Sequence, residues 1–420
     1  MRDEDRTLLE EMFAAAVKAA APGEAMRGLL PEPPEGRVVV VGAGKGSARM
    51  AAALEALWEG PLEGVVVTRY GFGAECKRIR VMEAAHPVPD EAGLEASAAL
   101  LGAVEGLGED DLVIALISGG GSALLAAPAE GLALEDEVAL NEALLASGAP
   151  IGAMNAIRRM VSRVKGGRLA RAAHPARVIS LVVSDVPGDD PAQVASGPSV
   201  PGKGGRAEAL AAVEAYGIDL PGRVRACLET VEEPPQPGDE AFARDEVHVI
   251  ASAAKSLEAA AEVARRAGLT PVILSDAVEG EAREVAKVHA AIAREVVARG
   301  RPFARPVAIL SGGETTVTLK AKGGRGGRNS EFLLSLALAI DGVAGIAALA
   351  ADTDGIDGSE DNAGAFADGG TAAAMRGAGI DPGAALAAHD AWGAFDAVGA
   401  LFEPGPTGTN VNDLRVILIR

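Results

Sequence analysis

At 420 residues the chain exceeds what one compact core usually holds, and two domains are expected. A formal charge of -20 argues against partners that need a basic surface, nucleic acid or an anionic membrane, so an anionic substrate would need a local basic island. Hydrophobic residues make up 49% of the chain and aromatics only 3%, while 53 glycines imply many turns and ligand-approaching loops. No apolar run reaches the length of a membrane span, and the N-terminus MRDEDRTLLEEMF is too charged for a signal peptide. Two cysteines, Cys76 and Cys227, cannot form a disulfide framework. A soluble cytoplasmic protein is expected.

Leu8, Leu9, Met12, Phe13 and Val17 share one face of a helix over residues 5–20. After the break at Pro31 to Glu35, the apolar run Arg37 to Val41 enters Gly42-Ala43-Gly44-Lys45-Gly46-Ser47, followed by a helix over 48–57. Strand, glycine-rich turn and helix form the unit whose helix N-terminus holds anions, which makes Gly44 and Lys45 ligand candidates. The turn departs from the dinucleotide fingerprint, because Ser47 stands where its last glycine belongs. The next strand, Val65 to Thr68, ends at Arg69 and not at the carboxylate that would hold a ribose; Arg69 would suit a 2′-phosphate.

His86-Pro87-Val88-Pro89-Asp90 leads into a helix over 91–101. Leu112 to Ile117 is a strand ending in Ser118-Gly119-Gly120-Gly121-Ser122, a turn suited to cradling phosphate through backbone N–H groups, though without P-loop spacing. Asn155 to Ala173 reads as one basic helix, of which Asn155 and Arg158 are candidates to face an anion. The strand Val178 to Val183 runs into Ser184-Asp185-Val186-Pro187-Gly188-Asp189-Asp190. Carboxylates in such a loop suit Mg²⁺, which takes a few carboxylates together with phosphate oxygens and water; the alternative is turn-forming aspartates bonded to their own backbone.

Glu232 to Asp239, with three prolines, reads as a linker dividing residues 1–236 from 237–420. Beyond it come a strand over 247–252, a helix over 257–267, a strand over 271–274, a helix over 281–299 and a strand over 306–310. That last strand opens the stretch Ser311 to Glu331. It carries Glu314 at the strand end, a β-type segment over 315–319 and a loop from Gly323 to Asn329 that presents Arg325 and Arg328 before a helix over 331–340. Arginine is the side chain best shaped to hold a carboxylate or phosphate by two parallel bonds. A strand over 345–350 ends in ADTDGIDGSEDNAGAFADG, whose aspartate spacing does not match a Ca²⁺ loop, and GPTGTNVND precedes a final strand over 414–419.

Polar, glycine-rich turns thus follow strands in both halves. That predicts an α/β protein of two domains facing each other across a cleft lined by loops from both. Basic groups (Lys45, Arg328), acidic groups (Asp189, Glu314, Asp354) and a phosphate-type turn fit phosphoryl transfer, which needs positioning and charge neutralisation more than a nucleophile.

Eight segments in order, VGAGKGSARM, HPVPDEAG, LISGGGSALL, VKGGRLA, SDVPGDDPAQVASGPS, LSGGETTVTL with GGRNSE, TDGIDG and GPTGTNVND, resemble the glycerate 2-kinases of the MOFRL family over nearly the whole chain. The resemblance implies two three-layer α/β/α domains, the first Rossmann-like, and an inter-domain active site. It implies ATP- and Mg²⁺-dependent phosphorylation of D-glycerate to 2-phosphoglycerate, with small-molecule partners only, and it allows a homo-oligomer. Lys45, Arg328 and Asp189 are then the catalytic candidates. Gly44, Ser118, Gly119, Gly120, Gly121, Ser122, Asn155, Glu314 and Asn410 are candidates to contact substrate or nucleotide, and Asp189, Glu314 and Asp354 to hold the metal. Two departures stand out: a segment resembling I-x-S-N-R reads Ile250-Ala251-Ser252-Ala253-Ala254, and G-G-R-N-Q-E reads GGRNSE. Because members have also carried the label hydroxypyruvate reductase, an NAD(P)H-dependent reductase is the alternative.

Overall fold

A computed structural model describes residues 1–319 and 324–420 and divides them into two compact units, Pro22–Ile250 and Met1–Ala21 with Ala251–Arg420. In the first unit the strands are β1 (Val38–Ala43), β2 (Glu63–Arg69), β3 (Ile79–Ala84), β4 (Leu112–Ser118), β5 (Arg177–Val183) and β6 (Glu246–Ala251). They lie in the order β3-β2-β1-β4-β5-β6, and β1 to β5 pair in parallel, the arrangement of a doubly wound, Rossmann-like sheet. The chain reverses direction across the sheet between β1 and β4. Their register sets Ala43 opposite Ile117, so the two glycine-rich turns leave the sheet side by side at its switch point.

Alternation of side chains along the strands splits this core into two faces. Val39, Val41, Ala43, Val113, Ala115 and Ile117 pack against Ala96 and Leu100 of the helix Glu91–Ala103 and against Leu169, Ala170 and Ala173. The helix Ser47–Leu57 contacts β1 to β4 and shares no residue with that cluster; it covers the other face, where Val38 and Val40 are buried.

The second unit contains β7 (Thr270–Ser275), β8 (Gly280–Glu281), β9 (Val307–Gly313), β10 (Thr315–Thr316), β11 (Ile346–Asp352), β12 (Gly364–Asp368), β13 (Leu401–Phe402) and β14 (Asp413–Ile419). Its main sheet runs β13-β12-β11-β14-β9-β7, with β7 and β9 parallel and the other pairs antiparallel; β8 and β10 form a separate two-stranded ribbon. Ala308, Leu310, Ala347, Leu349, Leu414, Val416 and Leu418 face Leu8, Leu9, Met12 and Phe13 of the helix Asp3–Ala20 and the helix Ala253–Arg266. The alternate residues Val307, Ile309, Ala348, Ala350, Ile417 and Ile419 face the helices Ala282–Arg299 and Arg328–Ala339. Each unit is therefore a three-layer α/β/α sandwich.

Several expected elements are displaced. The strand expected to open the second domain is β6, at the edge of the first sheet, so the proline-rich 232–239 segment does not separate the two compact units. The N-terminal helix belongs with the C-terminal unit. Its four large apolar side chains are buried there, each worth roughly 1.5–3 kcal/mol on full burial. The expected 155–173 helix is two, Ile151–Met160 and Arg168–Ala173, because Gly166 and Gly167 adopt φ of 66° and 81°, which an α-helix excludes. The expected 315–319 strand is only Thr315–Thr316, and the loop expected from Gly323 starts outside the described residues.

Candidate active site

The first unit offers two contrasting turns. After β1, every amide from Gly44 to Ser47 is spent internally. Gly44 N donates to Val67 O at 3.1 Å, Lys45 N to Gly119 O at 2.9 Å, Gly46 N to Ser118 Oγ at 2.9 Å and Ser47 N to Gly44 O at 3.2 Å. The Gly44 amide thereby ties the turn to β2. After β4, by contrast, no hydrogen bond from the amides of Gly119 or Gly120 is found among the described residues. Side chains crowd both glycines: a Cβ on Gly119 would lie 1.8 Å from Asp185 Oδ2, and one on Gly120, whose φ of 76° favours glycine, 3.0 Å from Lys45 Cγ and 3.2 Å from His86 Nε2.

Lys45 and His86 therefore converge over Gly120. Among the described residues no carboxylate pairs with Lys45. Burial first, then the charges of Lys45 and Arg69, push the His86 pKa down to about 4, so its ring is neutral near pH 7. This is the local basic island that the acidic composition demanded. Ser118 is buried with its hydroxyl taken by Gly46 N, and the Ser122 hydroxyl meets Ser196 Oγ at 2.8 Å. Asn155 acts behind them. Its Oδ1 accepts from Ser196 Oγ at 2.9 Å and Arg158 Nη1 at 3.2 Å, while Nδ2 donates to Gln193 O at 3.1 Å. Asn155 is fully engaged and supports the turn. Asp189 sits half-buried in a 3₁₀ turn at φ 54°, and neighbouring Asp190 caps Ala192 N at 3.0 Å.

In the second unit the strand register assembles an acidic cluster. Asp352 at the end of β11 lies opposite Asp413 at the start of β14, and Asp413 lies opposite Gly313 at the end of β9. Three strand ends thus converge on Arg328, at the start of its helix. Arg328 donates through Nε to Asp413 Oδ1 at 2.8 Å, through Nη1 to Glu314 Oε1 at 2.7 Å and through Nη2 to Asp352 Oδ2 at 2.6 Å. Burial opposes its charge, but Asp413, Asp352 and Glu314 outweigh burial and hold its pKa above the ordinary arginine range. Asp352 moves the other way from most salt-bridged acids: burial, then Asp413 and Asp354, raise its pKa well above the usual carboxylate range. Arg415, fully buried, bonds Asp413 from the other side and Thr315 Oγ1 at 3.1 Å.

Asp357 closes the cluster by accepting the amides of Asn329 at 2.9 Å and Ser330 at 2.8 Å, so it caps the Arg328 helix from a distance. Asp354 Oδ1 accepts from Ile356 N at 2.8 Å and Asn410 Oδ1 from Asn412 N at 3.2 Å, both local turn bonds. Arg325 stacks on Trp392 at 3.9 Å. Sequence reasoning missed Asp352, Asp357 and Asp413 as Arg328 partners or helix caps; their signal was position, at or just beyond strand ends within segments already noticed.

The metal expectation fares differently from its residues' separate placements. Among the described residues no three His, Cys, Asp or Glu side chains are arranged to hold an ion. Glu314 is already bound to Arg328. The donors do not suit a resident ion. They suit one brought in on phosphate oxygens, which needs only one or two protein carboxylates.

Family models for a domain of unknown function (DUF4147) and for the MOFRL family match residues 8–229 and 307–413. The chain is a member of the DUF4147–MOFRL family. This MOFRL-family chain is 40% identical to the D-glycerate 2-kinase of Thermotoga maritima over 99% of its own length and 98% of the relative's. A crystal structure of a Thermotoga maritima glycerate kinase superposes with a TM-score of 0.90 at 38% identity, covering all of both chains. A protein from Agrobacterium vitis called a putative hydroxypyruvate reductase is 54% identical, over 99% of this chain and 94% of its own. No helix among the described residues is long and apolar enough to cross a membrane.

Proposed function

We propose that this protein is a glycerate kinase that moves the γ-phosphoryl group of ATP, carried with Mg²⁺, onto the 2-hydroxyl of D-glycerate. The observation that carries the reading is the contrast between the two turns at the switch point. In the first, four internally bonded amides leave no cradle for a dinucleotide pyrophosphate. That turn nevertheless carries Lys45, which has no carboxylate partner among the described residues, and beside it lies a glycine-walled turn; these are the parts that phosphoryl transfer uses to hold and neutralise phosphate oxygens. The names of the Thermotoga relatives support the same reaction.

Lys45 would offset the charge gathering on the transferring group, with neutral His86 adding no competing positive charge. Glycerate's carboxylate would meet Arg328 by displacing Glu314, the one exposed member of its three partners (58% against 7% and 0% for Asp352 and Asp413). Bound Mg²⁺ would neutralise the nucleotide phosphates, with Asp189 the carboxylate available to it.

The reductase reading suggested by the Agrobacterium relative's name needs a dinucleotide turn and a ribose-holding acid. Here the amides are spent, which speaks against either nicotinamide cofactor; Arg69 at the end of β2, stacked 3.8 Å from the Phe72 ring, suits only the 2′-phosphate of NADPH. Purified protein with D-glycerate and ATP·Mg²⁺ should release ADP and form a product that phosphorus NMR assigns to the 2-position. NADPH oxidation with hydroxypyruvate, in the absence of glycerate-dependent ADP release, would overturn the proposal.

A further inference from the structure

The helix that begins with Arg328 carries a carboxylate one turn on. Arg328 and Glu331 are three positions apart and share a face, and both line an open cleft of about 1030 Å³ together with Glu314, Asp352 and His389. Glu331 is buried and its two oxygens are divided. Oε1 accepts from Arg283 Nε at 2.8 Å and Nη2 at 2.6 Å, while Oε2 lies 2.8 Å from His389 Nδ1. The same Nδ1 lies 2.9 Å from Arg283 Nη2, so two tautomers of the ring compete.

The carboxylate decides between them. Glu331 Oε2 is an acceptor, and its 2.8 Å contact with Nδ1 needs a proton between the two atoms. Arg283 Nη2 has Glu331 Oε1 and Leu386 O, at 3.0 Å, as its other acceptors. The ring proton therefore sits on Nδ1 and donates to Glu331, and in the neutral ring Nε2 carries the lone pair. Among the described residues Nε2 has no partner. The backbone is committed to this placement as well. His389 sits at φ 55°, a conformation that few side chains adopt and that clusters at functional sites. Its loop is pinned to the segment before Arg328: Gly324 N donates to Ala388 O at 2.9 Å, Trp392 N to Arg325 O at 3.0 Å and Arg325 N to Asp390 Oδ1 at 3.2 Å.

We propose that His389 is the proton acceptor of this cleft, its Nε2 taking the proton of the substrate hydroxyl while Glu331 holds the ring and Arg283 holds Glu331. A carboxylate fixed on Nδ1 with Nε2 left to work is the general arrangement of an oriented histidine base. The inference rests on the kinase reading. As the hydroxyl oxygen bonds to the γ-phosphorus, its proton passes to Nε2. The bond from that phosphorus to the bridging oxygen breaks with its electron pair leaving on ADP, and the imidazolium then returns its proton to water.

Glycine and asparagine both tolerate the backbone conformation of His389, so His389→Gly and His389→Asn are the variants to make. Each should lose roughly 10²–10⁴-fold in kcat with the KM for D-glycerate changed far less, and added imidazole should restore part of the His389→Gly activity. Nitrogen-15 NMR of the wild type against His389→Asn should show Nδ1 protonated and Nε2 bare in the neutral ring. An active wild type with unimpaired variants, or the opposite tautomer, overturns the proton acceptor alone. A wild type that releases no glycerate-dependent ADP overturns the kinase reading, and the proton acceptor with it.

Discussion

Replacing Arg328 by alanine tests whether the acidic cluster depends on that one cation. The guanidinium binds three carboxylates at once, and two of them are buried (side chains 7% and 0% exposed for Asp352 and Asp413). Without it, Asp352 faces Asp413 and Asp354, and Arg415 remains on Asp413 alone. Removing one partner of a buried ion pair costs about 3–5 kcal/mol. In a domain of about 150–250 residues each kcal/mol lowers Tm by roughly 2–4 °C, so the variant should melt on the order of 10 °C lower. The loss should also depend on pH. Asp352 already titrates above its unfolded value, and Arg328 is the charge that pulls it down. Deleting Arg328 raises that pKa further, and a carboxyl whose folded pKa lies above the unfolded one destabilises the fold increasingly as pH rises through that range. Melting followed by circular dichroism should therefore show the largest deficit near pH 8 and a smaller one near pH 5. A fall of less than about 2 °C near pH 8, or a deficit that grows on acidification, would refute the reasoning. One consequence concerns activity: inactivity of Arg328→Ala by itself says nothing about substrate contact, because the strand ends that frame the cleft lose their common partner.

Lys45→Ala should behave in the opposite way. The side chain pairs with no carboxylate among the described residues, so Tm should change by less than about 2 °C while kcat falls by roughly 10²–10³-fold. A variant with normal turnover would end the role assigned to Lys45. Asp245 provides a test away from the site. Burial raises its pKa to about 6, and one of its oxygens has no partner while the other accepts from Val178 N at 2.9 Å. Ionisation of such a group removes stability as pH climbs from its unfolded value towards 6. Asp245→Asn should therefore gain roughly 1–2 kcal/mol near neutral pH, after discounting for solvent screening, and nothing below about pH 4. Chemical denaturation at both pH values checks this, and equal gains at the two would contradict it.

Much of the fold was legible because local rules and tertiary context agree. Continuous apolar runs became buried strands, glycine-rich segments became the turns after them, and the amphipathic pattern of residues 5–20 became the first helix. Where the expectations slipped, a long-range choice overrode a local one. The apolar positions of residues 5–20 determine a helix, but nothing in their spacing tells which sheet will bury them. The same holds for Val247 to Ala251, a strand wherever it pairs, which the first sheet takes as its edge. Proline content around 232–239 marked irregular chain correctly and a domain boundary incorrectly, because prolines forbid regular structure without deciding what lies on either side.

The site divides along the same line. Residue order alone determined that Lys45 and the Ser118–Ser122 turn each follow a strand and that Arg328 lies just before a helix, since glycine, strand and helix signals are local. Pairing decided the rest. The final strand enters between β9 and β11, antiparallel to both, and only that insertion brings Glu314, Asp352 and Asp413 onto one guanidinium. Arg328, read from its motif as an anion-holding arginine, is also the cation that keeps three carboxylates together. His389 had no motif at all. It reaches Glu331 because a left-handed backbone turn, fastened to the loop before Arg328, points it there, and such a contact between residues 58 positions apart is a property of the folded chain.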